Sequence, residues 1–115
     1  MSVERNKEIA SIIWQQLGGN RFAVMTGVKY SLAIENGIRI GIGKNATRAN
    51  RLEVVLNFDD TYTMKFFQYS PAKLNRRTFE WKEESLKELK SYEHIFFDQL
   101  QPLFTEYTKL YTSLF

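Results

Sequence analysis

Basic side chains are concentrated in two short segments of the chain that contain no acidic residue. Lysine and arginine at this density suit one kind of chemistry, the binding of phosphate groups through charge and hydrogen bonds. Outside the two segments, thirteen acidic residues outnumber ten basic ones, so the net charge of +3 arises from these segments. The basic residues concerned are Lys44, Arg48 and Arg51 in the first segment and Lys73, Arg76 and Arg77 in the second.

Residues suited to catalysis are few. His94 is the one histidine and there is no cysteine, so a nucleophile–base pair or a thiolate metal site is hard to assemble. Asp59 and Asp60 are adjacent between two predicted strands, a position typical of a turn in which aspartate caps its own backbone. The run Gly41-Ile42-Gly43-Lys44 has one residue between its glycines, whereas a Walker loop needs four. We therefore expect a protein that is not an enzyme and has no cofactor and no metal.

Length and composition predict a single domain, 1–115. The chain has 115 residues, of which 43% are hydrophobic and 25% charged, as in ordinary globular proteins. No run approaches the roughly 18 apolar residues of a membrane span, and the polar N-terminus lacks the apolar segment of a secretion signal. Because there is also no cysteine for disulfides, these features indicate a cytoplasmic protein that does not contact a membrane.

An N-terminal helix is predicted over residues 3–17. Its apolar residues form one stripe from Ile9 to Leu17 at helical spacing. Gly18-Gly19 follows directly and ends the helix, because glycine adopts the left-handed conformation of a helix C-terminus without steric cost.

Residues 21–69 alternate between apolar and polar positions with period two. This pattern is typical of antiparallel strands with one covered face, and it predicts five of them. The expected core-facing positions are Phe22 and Val24; Tyr30, Leu32 and Ile34; Ile38, Ile40 and Ile42; Leu52, Val54, Leu56 and Phe58; and Tyr62, Met64 and Phe66.

The register of the turns follows from the rule that directly paired residues point to the same face of a sheet. A loop with an odd number of residues satisfies this rule at two connections. The expected pairs are Ile34 with Ile38, across a loop 35–37 that has Gly37 left-handed, and Phe58 with Tyr62, across a loop 59–61.

The chain after the last of these strands is less regular. Residues 78–93 fit both strand and helix, and we expect a strand followed by a short helical turn. A C-terminal helix is then predicted, with Pro102 either kinking it or marking its true start. Its heptad spacing also fits a homodimer, although covering the sheet is favoured in so short a chain. The apolar residues of this helix are Phe96, Phe97, Leu100, Leu103, Phe104, Tyr107, Leu110, Tyr111 and Leu114.

These elements predict an α+β domain, an antiparallel β-meander of five to six strands covered on one face by the N-terminal and C-terminal helices. Alternate connections of a meander fall at the same end of its sheet, so the two basic segments should be neighbours, together with the turn at Gly27 and Lys29. The acidic turns at Glu35 and at Asp59-Asp60 should lie at the other end. We call the end with Lys44, Arg48, Arg51, Lys73, Arg76 and Arg77 the basic pole.

Aromatic residues are expected beside the basic pole. Phe67 and Tyr69 point away from the covered face in the predicted register, and Phe79 or Trp81 could join them. Aromatic rings next to cations suit single-stranded nucleic acid, in which bases stack and phosphates pair with the cations. The alternative is that these rings lie under residues 83–93 as a second small core.

Three short stretches and the C-terminal segment resemble known sequences. Residues 17–22 (LGGNRF), 25–27 (MTG) and 35–37 (ENG), with the tail 98–112, resemble a group of small uncharacterised proteins encoded by bacteriophages and integrative mobile elements. Residues 70–90 depart from that group. The resemblance implies a phage or mobile-element protein in a bacterial cytoplasm, and it supplies no catalytic residues.

The predicted function is that of a non-catalytic accessory protein which binds nucleic acid through the basic pole, Phe67 and Tyr69. Single strands without strong sequence preference are the expected ligand. The alternative is an inhibitor-type protein that binds and blocks a host protein, for example a defence protein, through the same surface.

Overall fold

The computed structural model describes residues 3–110. Within these residues the chain forms three α-helices and a five-stranded antiparallel sheet. The elements in chain order are α1 (Val3–Leu17), α2 (Gly19–Thr26), β1 (Tyr30–Ile34), β2 (Gly37–Gly41), β3 (Arg51–Leu56), β4 (Tyr62–Ser70), β5 (Lys73–Asn75), β6 (Glu80–Lys82), β7 (Ser85–Ile95), a 3-10 turn (Phe97–Gln99) and α3 (Leu100–Thr108).

The large sheet has the strand order β1-β2-β3-β4-β7, while β5 and β6 form a separate two-stranded hairpin between β4 and β7. Helix α1 packs on β1 and β2, and Phe104 of α3 contacts Phe66 of β4 and Phe22 of α2. The predicted α+β meander with one face covered by terminal helices is confirmed. No helix within residues 3–110 is long and apolar enough to cross a bilayer.

The first predicted strand is instead the helix α2, so this prediction is wrong. Gly18 and Gly19 have φ of 122° and 60°, which lets the chain turn from α1 directly into a second helix. Phe22 is fully buried whereas Val24 is 81% exposed, because residues two apart point to different sides of a helix. The Thr26 hydroxyl donates to the Phe22 carbonyl, and left-handed Gly27 ends the helix.

The register of the first hairpin also differs from the prediction by one residue. Ile34 pairs with Gly37, across a two-residue connection in which Asn36, not Gly37, is left-handed. A one-residue slip exchanges the two faces of a strand. The predicted core residues Tyr30, Leu32 and Ile34 therefore lie on the uncovered face.

Glycine in β2 explains this register. A Cβ at Gly37 would stand 2.2 Å from the Val54 carbonyl oxygen, and one at Gly41 would stand 2.3 Å from the Tyr30 ring. Both positions face the uncovered side of the sheet, where Gly41 leaves room for the ring of Tyr30, its partner in β1.

The second predicted turn is longer than expected, but the faces of its strands are correct. Leu56, not Phe58, pairs with Tyr62, and residues 57–61 form the connection, closed by a hydrogen bond from the Asn57 N–H to the Thr61 carbonyl at 2.7 Å. The shift is two residues, so the faces of β3 and β4 stay as predicted. Phe58 is fully exposed in the turn instead of lying in the core.

The expected helical turn after residue 82 is wrong, because β7 occupies this segment. Ser85–Ile95 pairs with β4 along its length, with irregularities in the register. Unpaired backbone groups along β4 gain partners in this way, and that gain outweighs the local helix propensity of the segment.

The C-terminal helix is shorter than predicted. Helix α3 ends at Thr108, where Lys109 is left-handed at φ 64°. Pro102 lies in its first turn, where the missing N–H costs no hydrogen bond, so the expectation that it marks the start of the helix is confirmed. Phe96 and Phe97 precede α3 and are exposed, Leu110 follows it, and the predicted positions Tyr111 and Leu114 lie outside the described residues.

Candidate functional site

The two basic segments lie at the same end of the sheet. Residues 42–50 connect β2 to β3, and the hairpin of β5 and β6 follows the end of β4. The Asn50 N–H donates to the Phe67 carbonyl at 3.0 Å, and the Asn50 side chain exchanges two hydrogen bonds with the backbone of Tyr69. These bonds join the 42–50 loop to the terminal part of β4.

The acidic turns lie at the opposite end of the sheet. The Leu56 N–H donates to the Asn36 carbonyl at 2.8 Å, which places the Glu35-Asn36 connection beside the end of β3. Asp59 and Asp60 follow in the next connection. The domain is therefore polarised along its strands, with the basic pole at one end and acidic side chains at the other.

Side-chain hydrogen bonds fix the conformation of the 42–50 loop. The Asn45 amide donates to the carbonyls of Gly43 and Ala49 at 2.9 and 2.8 Å, and its oxygen accepts from the backbone N–H and the hydroxyl of Thr47. The Ala46 N–H donates to the carbonyl of Thr108 at the end of α3. Lys44 and Arg48 are thus exposed on a loop whose backbone is held in place.

A depression of about 240 Å³ lies against this loop. Lys29, Lys44 and Arg48 line it together with polar atoms of the loop, and no acidic side chain of the described range 3–110 contributes to the lining. Within residues 3–110, none of these three cations forms an ion pair. Lys29 is not among the predicted site residues, although the predicted meander topology places the turn at Gly27 and Lys29 at the basic end.

Arg51 has a different position from the other basic residues. It is the first residue of β3, half-buried on the uncovered face, with its guanidinium carbon 4.5 Å from the centre of the Tyr69 ring. Its Nε is shielded from solvent and has no hydrogen-bond partner among the described residues. The Tyr69 hydroxyl donates to the Glu84 carboxylate at 2.9 Å, and this hydrogen bond raises the pKa of Tyr69.

The uncovered face presents aromatic rings around Arg51. The register aligns Tyr30 with Gly41, Gly41 with Arg51 and Arg51 with Phe67, so these residues form one row across four strands. Tyr69 lies two residues beyond Phe67 on the same face. We call Tyr30, Arg51, Phe67 and Tyr69 the aromatic face; Tyr30 joins it because of the register that the sequence analysis did not predict.

The other charges on this side of the sheet are balanced. Arg39 pairs with Glu53 at 3.1 Å, and Lys65 pairs with Glu88 at 3.2 Å. Arg51, in contrast, forms no ion pair with any residue of the described range 3–110. The positive charge available to a ligand on this face is therefore concentrated beside the aromatic rings.

The second basic segment is a hairpin with mixed charge. Lys73 is in β5, and Arg76 and Arg77 are in the connection to β6; all three are exposed. The returning chain adds Lys82 but also Glu80, Glu83 and Glu84, so the segment that lacks acids in the sequence has acidic neighbours in the fold. Phe79 and Trp81 are 77% and 69% exposed on this hairpin, which is separate from the five-stranded sheet that carries Phe67 and Tyr69.

The Asp59 carboxylate is committed to its turn. It accepts hydrogen bonds from the hydroxyl and the N–H of Thr61 at 2.6 and 3.2 Å, which lower the pKa of Asp59. His94 lies 3.5 Å from the same carboxylate. Among residues 3–110, no group of three or more potential metal ligands comes together.

Comparison of the chain with models of protein families, with curated proteins and with solved structures finds no match. Function is therefore argued from the geometry of the basic pole and the aromatic face.

Proposed function

We propose that this protein binds single-stranded nucleic acid, without strong sequence preference and without catalysis. One observation carries the proposal: three aromatic rings and an arginine that has no ion pair among residues 3–110 share the uncovered face of the sheet, beside a loop with two exposed cations. The resemblance to phage and mobile-element proteins supports an accessory role in such an element, in the cytoplasm of a bacterial host, as part of this proposal.

Each part of the surface matches one part of the ligand. Bases stack on aromatic rings for about 1–3 kcal/mol each, whatever their identity, because every base has a flat π-surface. Phosphates are attracted by Lys44, Arg48 and the hairpin residues Lys73, Arg76 and Arg77, which are exposed at the same end of the sheet. Stacking by a sheet surface with flanking cations is a recurrent way of holding unpaired bases.

The charge distribution favours one orientation of the ligand. The acidic turns repel phosphate from the far end of the sheet, so the strand should run over the aromatic face towards the 42–50 loop. Arg51 is the first residue of β3, directly after the 42–50 loop, and its guanidinium packs on the Tyr69 ring, so its charge is available next to a stacked base.

The experiment is a titration of a fluorescent thymidine dodecamer, followed by anisotropy. Tyr69→Ala should weaken binding by about 1–3 kcal/mol, the free energy of one stacked base. Phe58→Ala is the matched control, because Phe58 is a fully exposed aromatic residue at the acidic end. Equal affinities of the two variants, or no binding by the native chain, would contradict the proposal.

A second candidate function is supported by the hairpin of β5 and β6. Exposed Phe79 and Trp81 next to Arg76 and Arg77 have the residue types that dominate protein–protein interfaces. This surface suits the inhibitor alternative, in which the chain blocks a host protein. Affinity capture from a nuclease-treated host lysate separates the two functions: a single protein retained by the native chain and lost with Trp81→Ala would favour the inhibitor.

A further inference from the structure

The depression beside the 42–50 loop has the size of a site for one small polar group. Its volume of about 240 Å³ is below the 300–1,000 Å³ that is usual for pockets that enclose whole organic ligands. The depression is therefore too small to enclose a whole nucleotide, but it has room for one anionic group.

The depression is built where three parts of the chain meet. The Lys29 N–H donates to the Gly41 carbonyl at 2.8 Å, and the Gly43 N–H donates to the Thr26 carbonyl at 3.3 Å. A Cβ at Gly43 would stand 2.9 Å from that carbonyl oxygen, so glycine allows the close approach. These contacts bring Lys29, from the chain before β1, to the same depression as Lys44 and Arg48.

The charge of the depression fits a phosphomonoester better than a phosphodiester. Three cations and no acidic side chain among residues 3–110 line it, whereas a phosphodiester within a strand carries a single negative charge. A terminal phosphate carries about −1.5 to −2 at neutral pH and offers three acceptor oxygens. The three side chains can therefore each donate to a separate oxygen.

Asn50 connects the depression to the aromatic face. It lines the depression, and its side chain holds the backbone of Tyr69 with two hydrogen bonds of 2.8 Å. A phosphate in the depression is thus next to the strand position from which the Tyr69 ring projects. We propose that the depression binds the terminal phosphomonoester of a nucleic-acid strand whose neighbouring bases stack on the aromatic face; the strand-end assignment rests on the proposed function.

The first test uses inorganic phosphate alone, at constant ionic strength, and follows backbone amide NMR signals. Signals of residues 43–50 and of Lys29 should shift in a saturable way. Lys44→Gln and Arg48→Gln should abolish the shifts. Lys7→Gln should retain them, because Lys7 is in the part of α1 that lies at the acidic end of the sheet, next to Asn6 and its partner Asn36. All the substituted side chains are exposed, so the variants should fold like the native chain. No saturable shift with the native chain would overturn the phosphate site.

The second test compares thymidine dodecamers with a 5′-phosphate, with a 3′-phosphate and with hydroxyl groups at both ends. One of the phosphorylated strands should bind about tenfold more tightly than the hydroxyl strand, the effect of one charge-assisted hydrogen bond. Lys44→Gln should remove this preference while Tyr69→Ala lowers the affinity of all three strands.

The outcomes separate this inference from the proposed function. Equal affinity for the three strands overturns the strand-end assignment, and if inorganic phosphate still binds, free phosphate is the ligand of the depression. If no strand binds but inorganic phosphate does, the proposed function fails and the phosphate site stands.

Discussion

The guanidinium carbon of Arg51 lies 4.5 Å from the centre of the Tyr69 ring, on the face of the sheet opposite to the one on which α1 and α3 pack. The Tyr69 hydroxyl is held at the same time by Glu84. The ring is therefore fixed from two sides, and Arg51 has no acidic partner among residues 3–110. A fixed ring loses little rotamer entropy when a base stacks on it.

Arg51→Met should separate stability from binding. Methionine keeps most of the apolar stem, and it removes a buried Nε–H that has no hydrogen-bond partner in the described chain. The free energy of unfolding should therefore stay within about 1 kcal/mol of the native value, measured by urea denaturation. Affinity for the thymidine dodecamer should fall, and an unchanged affinity would remove Arg51 from the site.

Reversal of charge should have a larger effect at Arg48 than at Arg76. Arg48 lines a depression without acids, whereas Arg76 belongs to a hairpin that also carries Glu80. Arg48→Glu should weaken binding to all sequences alike and reduce the slope of log affinity against log salt by about 0.7 for each lost phosphate contact. Thermal stability should hardly change, because exposed charges contribute little to folding.

The control for this experiment is Lys7→Glu. The Asn6 side chain accepts a hydrogen bond from the Asn36 N–H, so this part of α1 lies at the acidic end. The same loss of affinity in Lys7→Glu and Arg48→Glu would mean that only net charge matters and that the basic pole has no special role.

Two glycines of β2 should respond differently to alanine. At Gly37 the added Cβ meets the Val54 backbone, which cannot move without disturbing β3, so Gly37→Ala should cost about 1–3 kcal/mol of unfolding free energy. At Gly41 the added Cβ meets the Tyr30 side chain on the edge strand, which can rotate away. Gly41→Ala should therefore be milder in stability and should weaken strand binding, because it displaces a ring of the aromatic face. A larger stability loss in Gly41→Ala would contradict this assignment of the two contacts.

Stability in acid should depend on Asp59. The hydroxyl of Thr61, followed by its N–H, lowers the pKa of Asp59 below its ordinary value of 3.8. A lowered folded-state pKa means that the carboxylate stabilises the fold above the unfolded-state pKa and loses this contribution as the pH falls through the folded-state pKa. The difference in melting temperature between native and Asp59→Ala chains should therefore be full above about pH 4 and decline below it. Thr61→Val should reduce that pH dependence, and a difference that does not vary with pH would assign the effect to turn geometry alone.

Residue patterns predict the elements of this fold better than their registers. The stripe from Ile9 to Leu17 correctly predicts α1, because helical spacing repeated over several turns does not fit the two-residue period of a strand. The alternation of Phe22 and Val24 covers too few residues to separate strand from helix. The first hairpin depends on which residue takes the left-handed conformation, and Asn36 takes it because Gly37 is needed against the backbone of Val54.

The candidate site shows the same division. Lys44 and Arg48 could be predicted from the acid-free segment of the sequence, because residues that are close together in a short loop also lie close together in the fold. The meander topology also predicts Lys29 at this end, whereas Tyr30 joins the aromatic face only through its register with Gly41, which is distant in sequence. The sequence also allowed residues 83–93 to cover Phe67 and Tyr69 as a second small core. In the structure, β7 instead lies beside β4 in the sheet, and this pairing between segments distant in sequence cannot be seen in the local residue pattern.

The hairpin of β5 and β6 starts and ends at neighbouring positions of the large sheet. Ser70 and Ser85 are register partners in β4 and β7, and β5 and β6 pair with each other in a sheet of their own within the described part of the chain. Residues 71–84 are therefore a module that can be shortened to a tight turn, or exchanged for another sequence, while β4 and β7 keep their pairing. Variation in this module would let related chains change partners without a new fold, and it offers a natural point for inserting a reporter peptide.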